Sequence, residues 1–444
     1  MSPTQEISLQ SDRTTDTRGA APPQFVVAQK GAREHFLAAR ALHQRGALAK
    51  LVVDWYSPLS PKFDRAISWL LGAKGKSAVA VRTDAVPSHL VRALRLFSLW
   101  CKWQDRRAAR RGCVYDGLDR GDAAFARRVA RLALPPHDAF FGYSYASLEM
   151  LEAEHRRGRL TIVDQIDPGA VEYRLVAEEM ERYPELAGPP GPFPTQHYER
   201  ARREWDLADV IIVNSEWSRE AIIEDGADPA KIEVLPLAYE LAEKSGLRSQ
   251  KPNLRSPMSD CRPLKVLWLG QVNVRKGIHY LLEAARLLEK EPIEFHVAGA
   301  IGLRPSAVAD APKNMRWLGA VPRSDASDLY NRCDVFVLPT LSDGFAITQL
   351  EGLAHGLPVI VTPSCARVVE DGITGFIVPP RDAHALAHAL RRFVADSTLA
   401  GKMAPKCVQV AANYSVAAYG KKLLEIIERH LAARQARDRY AVHR

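Results

Sequence analysis

Residues 334–358 read DVFVLPTLSDGFAITQLEGLAHGLP, and the fold is decided there. Val335–Leu338 is a short unbroken apolar run, as a strand buried on both faces of a parallel sheet requires. Pro339 ends it, Thr340–Gly344 form a loop, and a helix opens near Phe345. Ile347, Leu350, Leu353 and Ala354 recur at helical spacing and form its buried face. The loop and first helical turn offer unpaired N–H groups and partial positive charge, a seat for phosphate or for electron-rich sugar oxygens. Asp343 precedes the helix, and Glu351 follows eight residues later beside the apolar face. A carboxylate there is costly without a polar partner, and a ribose diol is one such partner. A helix cap at Asp343 and a half-buried ion pair at Glu351 account for the same residues equally well.

Upstream, residues 265–282 read KVLWLGQVNVRKGIHYLL. A strand ends at Gly270, Arg275 and Lys276 stand in the turn, and a helix follows Gly277. Two cations at a strand-to-helix turn suit a diphosphate, Lys as a point charge and Arg as a bidentate donor. A solvated turn is the alternative. The same alternation of apolar runs and helical periods covers the chain. It predicts strands at Gln24–Ala28, Leu51–Trp55, Ala78–Val81, Ala139–Tyr143, Leu160–Val163, Val210–Asn214 and Ile232–Leu235. A second set is predicted at Lys265–Leu269, Glu294–Ala298, Met315–Leu318, Val335–Pro339, Pro358–Val361 and Phe376–Val378.

The 444 residues suffice for two cores, and the 47% hydrophobic and 25% charged content is that of a globular protein. The expected order is a disordered leader over 1–22, an N-terminal domain over 23–240 and a linker over 241–263. A C-terminal domain follows over 264–412, then a helix and basic tail over 413–444. Two doubly wound units would leave a ligand cleft at the carboxyl ends of their strands. Six cysteines lie scattered without a CxxC pair, which argues against structural zinc or a disulfide framework and fits a reducing compartment. No metal-ligand cluster is evident, and the glycine-rich GxGxxG fingerprint of dinucleotide sites is absent. Residues 1–150 carry 23 Lys and Arg against 13 Asp and Glu, residues 151–250 carry 12 against 21, and residues 251–444 carry 26 against 18. Charge segregated in this way suggests a sided surface rather than a nucleic-acid binder. No apolar run reaches the length of a membrane span.

Residues 264–400 resemble family-4 glycosyltransferases of the GT-B fold. The resemblance runs through GQVNVRKGIHYLLEAARLL, FHVAGA, MRWLGAVPRSDASDLYNRCDVFVLPT, DGFAITQLEGLAHGLPVIVTP and VVEDGITGFIVPPRD. It implies an α/β chain of two Rossmann-like doubly wound domains facing a cleft, with a C-terminal helix crossing back. It also implies a retaining transfer of sugar from a nucleotide-diphosphate sugar to an acceptor hydroxyl, without a cofactor. By the same resemblance Lys276, with Arg275 beside it, meets the donor diphosphate, and Asp343 and Glu351 hold the sugar and the ribose. The backbone of Gly344, Phe345, Ala346 and Ile347 faces sugar and phosphate, and the base lies near Val321. The family often has Glu where Asp343 stands and Arg where Gln271 stands, which leaves room for an unusual donor or a weakened enzyme.

The N-terminal half is less informative. FVVAQKGAREHFLAARAL (25–42) reads as strand, loop and helix, with Gly31 a candidate to approach the donor phosphates or a plain turn glycine. His35 is expected in the first helical turn as a packing or surface residue. Asp164, in LTIVDQIDPG, is a candidate on the acceptor side. Ser215 is read as a helix cap, and His137, His197, His296 and His355 as structural. Residues 87–111, PSHLVRALRLFSLWCKWQDRRAARR, read as one basic amphipathic helix carrying Trp100 and Trp103. Such a helix suits an anionic membrane surface, or else packs its stripe in the core and solvates its arginines. The expected partners are therefore a nucleotide sugar, a carbohydrate or lipid-linked acceptor and a membrane surface, and not nucleic acid. The expected location is the cytoplasm, including the inner face of the membrane. A sugar-nucleotide binder without transfer activity and a nucleotide-cofactor oxidoreductase are the competing readings.

Overall fold

The computed structural model describes residues 21–56, 86–109, 114–240 and 262–442. The expected leader lies, but for its last two residues, outside them. So do the strand expected at Ala78–Val81 and the linker up to residue 261.

The N-terminal domain runs β1 (Phe25–Gln29), α1 (Leu37–Gln44), β2 (Leu48–Val53), β3 (Val91–Ala93), α2 (Arg95–Ala109), α3 (Val114–Ala130), β4 (Ala139–Tyr143) and α4 (Leu148–Arg156). It continues through β5 (Leu160–Gln165), α5 (Ala170–Arg182), α6 (Pro184–Ala187), α7 (Thr195–Leu207), β6 (Val210–Val213), α8 (Glu216–Glu224) and β7 (Ile232–Val234). The C-terminal domain runs β8 (Leu264–Leu269), α9 (Ile278–Leu287), β9 (Ile293–Ala298), α10 (Pro305–Ala309), β10 (Met315–Gly319), α11 (Arg323–Arg332) and β11 (Val335–Leu338). After it come α12 (Ile347–Ala354), β12 (Val359–Val361), β13 (Gly375–Ile377), α13 (Ala383–Ala395), α14 (Leu399–Ala412) and α15 (Val416–Val442).

All strand pairings are parallel. The first sheet has the order β3-β2-β1-β4-β5-β6-β7 and the second β10-β9-β8-β11-β12-β13. Each order reverses once, between β1 and β4 and between β8 and β11. At such a switch point adjacent loops part and leave a crevice at the carboxyl ends of the strands. The expected pair of doubly wound domains is thus present. The returning helix is present too: Val416, Tyr419, Leu423, Ile426 and Ile427 of α15 are buried in the N-terminal core beside α1.

Two expectations are corrected. Residues 87–111 are not one helix: Val91–Ala93 pair with Leu51–Val53 as an edge strand, and the helix begins only at Arg95. The apolar residues of that stretch divide between the two faces of the sheet. Leu90, Val91 and Ala93 pack on one side, Leu94, Phe97 and Cys101 on the other. A short strand with Val91 on one face and a helical stripe share the same spacing here, so periodicity alone merges them. The second correction is the basic tail, which is not separate from the helix before it. It continues the helix to Val442, with the Arg434 guanidinium reaching the Arg159 carbonyl at 2.9 Å and the Asp209 carboxylate at 3.3 Å.

Candidate active site

The β8–α9 turn forms because Asn273 caps it, its side chain accepting the Lys276 N–H at 3.1 Å. Gly277 then takes a left-handed φ of 70°, and a Cβ there would stand 1.7 Å from the Pro339 carbonyl oxygen. Only glycine allows the first crossover to lie this close to the end of β11. The two loops are bound together: Leu341 N–H donates to the Arg275 carbonyl at 2.9 Å, and the Thr340 hydroxyl reaches the same oxygen at 3.1 Å. The cationic turn and the Asp343 loop therefore sit side by side at the switch point of the second sheet.

The structure brings the four expected charged residues to this corner in two groups. Lys276 and Asp343 form an ion pair, with side chains only 13% and 14% exposed. Burial, and then the charge of Arg275, lower the Lys276 ammonium to about 7, while Glu172 opposes the shift. Arg275 donates to the Ser342 carbonyl at 3.3 Å and pairs at 3.4 Å with Glu172 of α5, a residue of the other domain. Burial raises the Glu172 carboxyl above its ordinary range, and Arg275 limits the rise.

Glu351 forms the second group. Its carboxylate accepts the Tyr330 hydroxyl at 2.9 Å and lies 3.8 Å from the Arg323 guanidinium. Burial raises its pKa, with Tyr330 and Arg323 opposing. Arg323 also meets His35 Nε2 of the N-terminal domain.

The remaining expected residues are distributed as follows. Gly344 lies at the domain contact: its carbonyl accepts the Ser215 hydroxyl, and a Cβ would stand 2.6 Å from the Ile166 carbonyl oxygen. Phe345 and Ala346 are buried, Ala346 takes a left-handed φ of 60°, and the helix begins at Ile347. Asp343 is thus not the helix cap. Val321 packs half-buried on the C-terminal core. Gln271 is exposed, its side-chain oxygen 3.5 Å from the Asn273 amide. Gly31 has a φ of 82° with open space where a Cβ would stand, and its N–H donates to Asp54 at 2.8 Å. Asp164 is buried in β5, where burial, and then the charge of Glu34, raise its pKa well above normal.

The turn after Gly31 departs from the expected helix start. Glu34, His35 and Phe36 all take left-handed φ angles of 50–60°, and α1 begins only at Leu37. Such backbone is strained in non-glycine residues. Ser215 caps α8 as expected, accepting the Ser218 N–H at 3.0 Å. His137, His197, His296 and His355, expected as structural, bond to Glu154, Asp119, Glu294 and the Glu351 carbonyl.

Sequence reasoning missed Glu172, Arg323 and Tyr330. Tyr330 and Arg323 stand in the quoted PRSDASDLYNRCD segment. Their spacing of seven puts them two turns apart on one face of α11, a signal that was available. Glu172 carried no local signal, because its partner is 103 residues away.

Residues 263–396 match the family described as glycosyl transferases group 1. Among curated proteins, the chain is similar to the D-inositol 3-phosphate glycosyltransferase of Corynebacterium urealyticum. Identity is 29% over 241 residues, covering 50% of this chain and 57% of that protein. It is also similar to the N,N'-diacetylbacillosaminyl-diphospho-undecaprenol alpha-1,3-N-acetylgalactosaminyltransferase of Campylobacter jejuni. Here identity is 27% over 175 residues, covering 38% of this chain and 46% of that protein. The chain spans about half the length of the curated relatives it matches. Among solved structures, HepE of Anabaena in complex with UDP-glucose superposes with a TM-score of 0.55 at 15% identity, covering 91% of this chain and 99% of that one. That likeness is one of fold, two α/β domains about a cleft.

Proposed function

We propose that this protein, whose residues 263–396 match the glycosyl transferases group 1 family, transfers a sugar from a nucleotide-diphosphate sugar to an acceptor hydroxyl in the cleft between its domains. The observation that carries this reading is the meeting of Lys276, Arg275 and Asp343 at the switch point of the second sheet, with Glu351 on the helix that follows. Each cation already has a carboxylate partner, Asp343 or Glu172. Donor binding exchanges those carboxylates for diphosphate oxygens and turns Asp343 toward the sugar hydroxyls. Glu351, held by Tyr330, takes the ribose diol.

In the transfer, the bond from the anomeric carbon to the diphosphate oxygen breaks and its electron pair stays on the diphosphate. The ring gains positive character, the acceptor oxygen bonds to the anomeric carbon, and the acceptor proton leaves with the diphosphate. Lys276 and Arg275 stabilise the charge that grows on the leaving group, in a site whose dipoles are already in place. Retention of configuration belongs to this reading and is supported by the motif resemblance. The acceptor is a carbohydrate or lipid-linked hydroxyl, consistent with the diphospho-undecaprenol substrate in the name of the Campylobacter relative.

Gln271, exposed and neutral, favours a second reading, a sugar-nucleotide binder that does not turn over. One experiment separates them. A panel of nucleotide sugars is screened for thermal stabilisation, since a ligand of the folded state raises its stability. The stabilising donor is then incubated with glycan and lipid-linked acceptors while released nucleotide is measured. Release that depends on acceptor supports transfer. Stabilisation without release under any acceptor supports the binder. No stabilisation by any nucleotide sugar overturns both.

A further inference from the structure

Helix α2 carries an exposed apolar face that the cleft does not use. Phe97 and Cys101 turn inward and are 6% and 3% exposed. Leu96, Leu99 and Trp100 turn outward at 84%, 56% and 40%, and Trp103 continues the row at 54%. Positions 96, 99, 100 and 103 share one helical face. The other exposed large hydrophobics of the described residues are spread over other elements.

At the start of the same helix lies a cavity of about 370 Å³ lined by Lys50, Ser88, Arg92 and Arg95 among others. It brings three cations together, and no carboxylate is among its described lining residues. Lys50 of β2 is held there by its bond to the His89 carbonyl at 2.9 Å. An apolar row of leucine and tryptophan that begins at Leu96, next to Arg95 of a basic pocket, has the composition of a surface that lies in a lipid headgroup layer.

We propose that α2 docks the protein on an anionic phospholipid bilayer, with Leu96, Leu99, Trp100 and Trp103 at the acyl boundary and Lys50, Arg92 and Arg95 on lipid phosphates. The docking face adjoins the cleft. Leu94 N–H donates to the Val53 carbonyl at 2.8 Å, and the Asp54 carboxylate receives both the Gly31 N–H at 2.8 Å and the Ser98 hydroxyl at 3.1 Å. One acidic side chain therefore ties the first turn of α2 to the glycine loop at the switch point of the first sheet. A bilayer held by α2 lies beside that loop.

The test uses the full chain without any sugar substrate, so its outcome is independent of the transferase reading. Binding to vesicles of phosphatidylcholine alone and of phosphatidylcholine with phosphatidylglycerol is measured by sedimentation. Trp fluorescence is followed in parallel. Roughly tenfold or greater preference for the anionic vesicles, weakened by salt and accompanied by a blue shift, is expected. The double variants Leu96→Glu/Leu99→Glu and Arg92→Ala/Arg95→Ala should each lose most of that binding with thermal unfolding unchanged. Equal affinity for both vesicle types, or variants that bind like the parent, would overturn the proposal. A Leu96→Glu/Leu99→Glu variant that converts a dimer to a monomer without altering vesicle binding would assign the face to a second copy instead.

Discussion

Lys276 couples the site to pH. Its ammonium titrates near 7, while a bound diphosphate, adding negative charge, must raise that value. Between the two, donor binding takes up a proton, and affinity falls as pH rises above about 7, by up to about tenfold per unit. Calorimetry in buffers of different ionisation enthalpy should show this uptake near pH 8 and its loss in Lys276→Met. That variant should also turn over about 10²-fold slower; equal turnover would remove Lys276 from the reaction. Glu172 raises the Lys276 value and holds Arg275. Glu172→Gln should therefore move the midpoint of donor binding to lower pH and slow turnover by about tenfold, with the protein still folded. An unmoved midpoint would show that Glu172 has no hold on the lysine. Lys276, Arg275, Asp343 and Glu351 were legible because each stands in a local strand–loop–helix pattern. Glu172 was not, because nothing near it in the chain says what it will touch.

At the scale of elements, the clearest case of tertiary supply is the start of α4. Glu204 of α7, fully buried, accepts N–H groups of Tyr145 at 2.6 Å, Ser147 at 2.8 Å and Leu148 at 2.9 Å. Helix starts need such acceptors, and here the acceptor comes from another helix. Burial raises the Glu204 carboxyl to about 7, although Arg200 and these three bonds oppose the rise. Glu204→Ala strands three buried donors and should cost about 3 kcal/mol of unfolding free energy in a urea titration at constant slope. A loss below about 1 kcal/mol would mean that water replaces the carboxylate. The strands were legible at this scale because burial on both faces leaves an unbroken apolar run. The edge strand β3 was not, since its three residues fit a helical stripe until β2 is beside them.

Across the whole molecule, the domains are joined by a buried polar latch. Glu179 of α5 has no exposed surface, bonds to His279 Nε2 at 3.1 Å and to the Tyr280 hydroxyl, and forms an ion pair with the Arg381 guanidinium at 2.8 Å, all from the C-terminal domain. Burial raises its carboxyl, but the bonds from His279 and Tyr280 and the charge of Arg381 together hold it below the ordinary value. A lowered pKa stabilises folding above the ordinary carboxylate range and loses that contribution as pH falls through the lowered value. Acid should therefore loosen the latch. Glu179→Ala, leaving partners without their charge, should widen the radius of gyration in X-ray scattering and separate the thermal transitions of the two domains. A single transition with unchanged scattering would show that the other contacts between the domains hold them together without Glu179. The sequence by itself determined two parallel doubly wound domains and the local pattern of the cationic turn and acidic loop, because buried runs, turn glycines and helical spacing act over a few residues. Only the tertiary structure decided which charges meet across the cleft, as with Glu172 and Arg275 or Arg323 and His35. Those pairs are set by how two sheets and their crossing helices pack, and no local propensity encodes that distance.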